Sequence, residues 1–351
     1  MAELWTLTNV WRVFCRAVLS ALIASAILTG HASAGELGHF AGGLVNIRDY
    51  VMPPQPGVYT SIYNYYYTTD RLNDSHGHQI DSVTLKPGPG PELTIDTDVD
   101  VDIFVTAPSL LWVSPWKVFG ARYGAYIAPS FATSSVGAAF ATETDRGVNA
   151  DTSSAGLGDI YVQPIWLDWG LPNWDFALGY GFYAPTGRYD TDTVSFPVIG
   201  DQTVEDSDNI GLGYWTHQFQ GAIAWYPWEH RATAVTAAVT YEINSDKEDF
   251  DYTPGQRLTL NWGVSQFLPL TDDKSVMAEI GPAGYSHWQI TDDSGSDASS
   301  DVRDQAHAVG AQLGLTVVPW NAALNFHYFH EFASDDRFQG DVFGLNLSWR
   351  W

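Results

Sequence analysis

The chain has one cysteine, three methionines and only 16 Lys+Arg in 351 residues. A lone cysteine excludes an internal disulfide and any zinc site built on paired thiolates. Against 41 Asp+Glu, the shortage of basic residues leaves a net charge of −25. Sequence-general nucleic-acid binding is therefore excluded, because it requires clustered Lys and Arg to neutralise phosphates. After residue 34 no run reaches the roughly 18 consecutive apolar residues of a membrane-spanning helix. Sustained helical periodicity is also missing. The chain lacks G-x-S-x-G, H-E-x-x-H and a P-loop, so no local motif points to catalysis, and no catalytic or metal-binding residue is assigned.

What is present is aromatic: 15 Trp, 18 Tyr and 17 Phe, within an overall hydrophobic content of 45%. Residues 1–34 read as a secretory signal peptide. Arg12 and Arg16 form its positive region, Ala17–Leu28 its apolar core, and Ala32-Ser33-Ala34 the small-x-small cleavage site. The single Cys15 belongs to that segment, so the exported chain has no cysteine. Residues 35–56, rich in Gly and Pro, are either a periplasmic leader or a plug that enters a lumen, with Arg48 and Asp49 meeting lumen charges.

From residue 57 onward, apolar and polar residues alternate with a period of two. In Leu93–Val105, Leu93, Ile95, Val99, Val101, Ile103 and Val105 share one face, and Thr94, Asp96, Asp98, Asp100 and Asp102 the other. Phe343, Leu345, Leu347, Trp349 and Trp351 alternate in the same way near the C-terminus, as do Leu258, Leu260, Trp262 and Val264. The pattern predicts about twelve strands, near 57–69, 93–112, 118–135, 157–169, 174–187, 211–225, 231–243, 255–268, 275–289, 305–317, 321–333 and 340–351. Ten or fourteen strands are compatible with the same pattern. Short turns such as Ser114–Lys117, Gly170–Asn173 and Tyr226–His230 alternate with long acidic loops over 70–92, 136–156, 188–210, 244–254 and 290–304. Trp112, Trp116, Trp169, Trp174, Trp225, Trp228 and Trp320 cluster beside the short turns. Together these features predict an all-β chain: a single antiparallel transmembrane β-barrel over 57–351 in the bacterial outer membrane, flanked by aromatic girdles.

With the apolar faces turned to lipid, the opposite faces line a lumen. The expected pore-lining residues are Asp96, Asp98, Asp100, Asp102, Arg122, Asp159, Gln163, Glu242, Arg257, Asn325, His327, Glu331 and Arg350. Four aspartates on one face repel one another unless cations oppose them, and Arg122 on the next strand is the expected partner. Such a set forms either a charged constriction or a polar network that packs the interior. The acidic loops read as solvated surface or, alternatively, as Ca²⁺ or Mg²⁺ sites, although none has the spacing of an EF-hand.

Ala155-Gly-Leu-Gly-Asp-Ile-Tyr-Val-Gln-Pro164 resembles the G-x-G-D-x-x-x-x-P element of the "MetA-pathway of phenol degradation" transporter family. Gly181-Phe-Tyr-Ala-Pro-Thr-Gly-Arg-Tyr189 is similar to that family's P-T-G-x-Y element, and Asn209-Ile-Gly-Leu-Gly-Tyr-Trp215 to its N-x-G-x-G-x-W. Tyr241–Asn244 followed by Gly255 fits a later portion. The resemblance covers nearly all of the chain from Gly57. It implies an outer-membrane channel associated with uptake of aromatic or other hydrophobic compounds. The chain as a whole reads as a monomeric barrel for passive uptake of small hydrophobic or aromatic molecules, without a cofactor. A surface adhesin or structural barrel is the alternative, and an outer-membrane lipid hydrolase a third. The expected partners are membrane lipid and lipopolysaccharide, a small-molecule solute, and the outer-membrane assembly machinery through the terminal strand ending at Trp351; nucleic acid is not among them.

Overall fold

The computed structural model describes residues 38–85, 93–142, 148–196, 200–206, 209–298 and 303–351. The signal peptide expected over residues 1–34 lies outside these, as does part of the acidic loops. Twelve strands form the wall. They are β1 (Gly57–Thr69), β2 (Leu93–Val118), β3 in two pieces (Ala121–Ala128 and Phe131–Thr142), β4 in two pieces (Val148–Leu157 and Ile160–Gly170), β5 (Trp174–Ala184) and β6 (Thr216–Trp225). They continue with β7 (Thr233–Asn244), β8 (Arg257–Pro269), β9 (Val276–Gln289), β10 (Gln305–Val317), β11 (Ala322–Asp335) and β12 (Asp341–Arg350). Each pairs antiparallel with its chain neighbours, and β12 returns to β1 in register from Tyr59↔Arg350 to Thr68↔Asp341. The sheet thus closes on itself, which is the arrangement that leaves no edge unpaired in hydrocarbon. No described helix is long and apolar enough to cross a membrane.

The two-residue period decides which side chain meets lipid. On β8, Trp262 and Val264 are exposed, while Arg257, Thr259, Asn261 and Ser265 are buried. On β12, Phe343, Leu345 and Leu347 face out, and Val342 and Asn346 are fully enclosed. On β7, Val239 is outward, and Thr236, Thr240 and Glu242 are inward. These parities agree with the alternation read from the sequence.

β2 has the opposite parity from the one expected. Ile103, Val105, Ala107, Ser109 and Leu111 face the lumen, whereas Phe104 and Leu110 lie on the exposed face. Asp102 shares that outer face and accepts a hydrogen bond from the Tyr66 hydroxyl at 2.6 Å. Asp96, Asp98 and Asp100 are exposed on the same side. The reason is length. β2 has 26 residues, whereas a tilted span needs only about 9–11. Its first part therefore rises beyond the apolar band, where the outer face meets water and carries aspartates. Below that rise, Phe104 and Leu110 take over the outer positions.

The first short turn also lies further along than the sequence suggested. Ser114–Lys117 forms an irregularity within β2, and the chain reverses at Phe119 and Gly120, both at positive φ. Arg231, Lys274 and Asn321 likewise adopt φ of 52°, 57° and 49° in three other short connections. Left-handed residues of this kind let a tight turn follow the twist of its strands. Around this end of the barrel, Trp116, Trp174, Trp225, Trp228, Trp320 and Trp351 are exposed. Trp174 stacks on Trp225 at 6.0 Å, and Trp349 meets Trp351 edge-on at 6.0 Å. Indoles combine an apolar body with an N–H, which suits the boundary between lipid and water.

The placement of the apolar band can be tested by substitution. Leu313→Arg, on the lipid face of β10, is expected to cost about 2–4 kcal/mol of folding stability. Asp100→Arg, on the outer face of the rise, should change stability little. Urea unfolding followed by tryptophan fluorescence in detergent or vesicles measures both.

Candidate functional site

The lumen is not empty. Residues 38–53 run inside the ring of strands, where Phe40, Asn46, Ile47, Tyr50, Val51 and Met52 are buried, and residues 54–56 are exposed. This segment has no regular secondary structure, so its backbone groups need partners from the wall. Inward polar side chains supply them. Glu242 accepts from the Phe40 N–H, Asn261 from Gly43, Gln312 from Ile47 and Asp168 from Met52, at 2.9–3.2 Å. Asn346 donates to the Asn46 side chain and the Leu44 carbonyl. Arg48 bonds Glu279 at 2.7 Å, Ser265 at 2.8 Å and the Ala232 carbonyl at 2.7 Å. The segment is thereby anchored mainly to β4 and β7–β12.

A cavity of about 960 Å³ remains beside it. Its free side is the wall of β1–β5, where Tyr63, Tyr65, Tyr126, Tyr161 and Tyr183 stand among Ser61, Ala107, Ser109, Ala128 and Ala132. The segment contributes Phe40, Val45, Val51 and Met52. Charged side chains that line this space are engaged within the protein. Asp49 is held by Asn46 and Tyr63, and Asp175 pairs with Arg231 at 2.9 Å. Arg48 pairs with Glu279, and Arg350 donates to the Pro56 carbonyl and the Gln55 side chain.

Nine of the thirteen residues selected from sequence point inward, and they do not form one ring. Arg122 sits near the short-turn end. There it binds Asp168, with Asp175 at 3.9 Å, rather than the aspartates of β2. Gln163 is buried and accepts from the Tyr161 hydroxyl at 2.8 Å. Asn325 lies beside Gln312, and His327 is enclosed on the same strand. Arg350 lies 5.8 Å over the Tyr59 ring at the end of β12. Asp96, Asp98, Asp100 and Asp102 do not join this set, for the reason given by the parity of β2.

At the long-loop end, two centres form. In the first, Arg257 binds Asp304 at 2.8 Å, with both side chains 1% exposed. Arg337 approaches Asp304 at 3.5 Å and Glu331 at 3.9 Å. Glu331 also accepts from the hydroxyls of Tyr67 and Tyr285. Burial opposes ionisation of Asp304, but Arg257 and Arg337 outweigh it and hold the carboxyl below its ordinary range.

The second centre is Asp159. It occupies the interruption between the two pieces of β4, opposite the interruption in β3, and the two are tied by Gly158 N–H to the Ser130 carbonyl and Ser130 Oγ to the Asp159 carbonyl. Asp159 Oδ1 accepts from Gly187 N–H at 2.9 Å, and Oδ2 accepts from Leu212 N–H at 2.9 Å. His39 Nε2 lies 2.9 Å from the same Oδ2. Gly187 and Gly211 cross so closely that a Cβ on either would sit within 3 Å of the other's backbone. Three motifs that are far apart in sequence, 155–164, 181–189 and 209–215, therefore meet at one carboxylate. Sequence reasoning placed Asp159 in the lumen but gave no sign of His39 or of the loop amides that bind it. The described residues contain no group of three or more His, Cys, Asp or Glu arranged to hold a metal ion.

The profile of the family described as "Putative MetA-pathway of phenol degradation" matches residues 69–347. The chain belongs to this family and is a bacterial outer-membrane β-barrel. Its fold is similar to the COG4313 outer membrane channel from Pseudomonas putida F1, with TM-score 0.59 and 17% identity over 88% of this chain and 100% of that one. The β domain of the Bordetella autotransporter BrkA gives TM-score 0.43 and 12% identity over 84% of this chain and 100% of that domain. A Pseudomonas aeruginosa FadL homologue gives TM-score 0.37 and 11% identity, covering 91% and 98% of the two chains. No curated protein matches the sequence.

The buried pair at the long-loop end offers a direct test. Asp304→Ala leaves Arg257 without its closest counter-charge and is expected to destabilise the barrel by roughly 3–5 kcal/mol. Loss of the heat-resistant folded band in unheated electrophoresis, together with a lower urea midpoint, would report it.

Proposed function

We propose that this barrel is a passive channel for small neutral solutes of hydrophobic or aromatic character, and not an enzyme. One observation carries the reading. The space left in the lumen is lined by tyrosines and small residues, and its charged side chains are already paired or hydrogen-bonded. Cavities of roughly 300–1,000 Å³ suit small organic molecules. An inorganic ion that sheds water there meets no unpaired counter-charge, so its desolvation is poorly offset. An aromatic solute loses little by leaving water and gains ring contacts with the tyrosines. Movement is down a gradient, with no nucleotide, cofactor or covalent step.

In this reading residues 38–56 narrow the lumen as a plug, and the inward polar residues serve mainly to seat it. The outer face lies against lipid and lipopolysaccharide. The terminal strand ending at Trp351, whose indole donates to Thr60 at 2.9 Å, is the segment offered to the assembly machinery.

Two measurements on proteoliposomes test the proposal. Small neutral aromatic solutes should enter well above the rate of protein-free vesicles, while ion conductance in planar bilayers stays low. Shortening the segment by removing residues 38–52 should raise ion conductance several-fold. Solute flux no greater than in empty vesicles would favour the adhesin, structural-barrel or lipid-hydrolase alternatives. Unchanged conductance in the shortened protein would dismiss the plug.

A further inference from the structure

The hydrogen bonds around His39 place an oxygen at each of its ring nitrogens. Thr216 Oγ1 donates to Asn244 Oδ1 at 2.7 Å. The orientation of that amide is set in turn, because Asn244 Nδ2 donates to the carbonyls of Pro254 and Gly255. With its proton committed, the Thr216 hydroxyl can only accept from His39 Nδ1, 2.7 Å away. An ionised carboxylate also only accepts, so His39 Nε2 must donate to Asp159. Both ring nitrogens therefore face acceptors, an arrangement that an imidazolium satisfies. The side chain is enclosed, at 4% side-chain exposure, against an Asp159 carboxylate equally enclosed. Its ring stacks on Tyr183 at 4.6 Å and meets Tyr214 edge-on at 5.0 Å.

We propose that the His39 side chain is a proton-dependent latch that holds the start of the 38–56 segment in the lumen, and that its deprotonation loosens that start and raises solute flux. The inference rests on the reading of that segment as a plug. A neutral imidazole has one N–H and one lone pair. It cannot donate to Asp159 and Thr216 together. Thr216 can turn its proton toward His39 only by abandoning Asn244. One bond is lost in either case, and the ion pair with Asp159 is lost as well.

The other groups facing this site do not replace it. Asp159, from the interruption in β4, keeps its two backbone donors, so the wall loops stay joined. Tyr183 from β5, Tyr214 from the chain entering β6 and Tyr161 from β4 supply ring surface. Glu242 from β7 binds the Phe40 N–H, one residue along the segment. Arg257 from β8 packs against Gly38 but is committed to Asp304. Loss of the His39 proton therefore loosens the start of the segment and leaves the barrel intact.

The full-length chain carries the test. A nitroxide label on Ala41→Cys reports mobility of the segment by electron paramagnetic resonance, and vesicle swelling with a neutral aromatic solute reports flux. Both are followed from about pH 5 to about pH 9. In the otherwise unaltered protein, label mobility and flux should rise together, several-fold, toward the alkaline end. His39→Ala and His39→Gln should be mobile and open throughout, with no pH dependence and with folded-band migration retained. Mobility that stays flat with pH overturns the latch, as does a His39→Ala profile identical to that of the parent. A segment that loosens on schedule while flux stays constant supports the latch and overturns the plug reading instead.

Discussion

The β1–β12 pairing is the constraint on which the rest depends. A sheet in hydrocarbon has no water to satisfy its edge amides, so the first and last strands must find each other. Here Gly57–Thr69 and Asp341–Arg350 do so across ten register pairs. Closure fixes an inside and an outside for every strand, and from that point side-chain chemistry follows parity. Lipid dictates the outer residues almost without regard to sequence detail, which is why Leu, Val, Phe and Trp suffice there.

The inside has a harder requirement. A barrel of twelve strands is wider than the roughly eight whose inward side chains just fill the interior. This chain meets that requirement with its own N-terminal segment. An irregular peptide inside a wall brings unsatisfied backbone N–H and C=O groups, and burying these without partners is costly. Glu242, Asn261, Gln312, Asp168 and Asn346 each meet one or more of them. Polar residues that resemble a selectivity filter when read along a strand are thus largely occupied in seating the segment, and the tyrosine face of β1–β5 lines the remaining cavity.

How much of this is legible in the sequence depends on which force sets each residue. Strand number, the short-turn tryptophans and the parities of β7, β8 and β12 follow from alternation against lipid, a local signal. The parity of β2 does not. Ile103 and Val105 are apolar because Tyr65, Tyr67 and the N-terminal segment pack against them, not because lipid does, and Val101 is buried on the same face. An amphipathic strand that rises out of the membrane inverts the usual rule, with water outside and packed protein inside. Arg122 shows the same limit. The expected partners lie on β2, but the register with β4 places Asp168 directly opposite. Hydrogen-bond partners across a barrel are set by register and bulges, and one sequence does not contain these.

Asp159 shows what a motif encodes when the chain alone cannot explain it. Gly158 and Asp159 break β4 beside the break in β3, and an interruption in a wall is a weak point unless something bridges it. The bridge is one carboxylate that takes backbone donors from two separate loops, with Gly187 and Gly211 small enough to let those loops cross. An aspartate suits this position because each oxygen has two lone pairs and a short reach, so several donors from different directions can be served at once. A glutamate would reach past the crossing, and an asparagine would turn a donor toward one of the amides. The same oxygen that closes the wall also holds His39, so the integrity of the wall and the position of the lumen segment are coupled through a single side chain. That coupling gives a physical reason for three motifs spread over sixty residues to act as one unit.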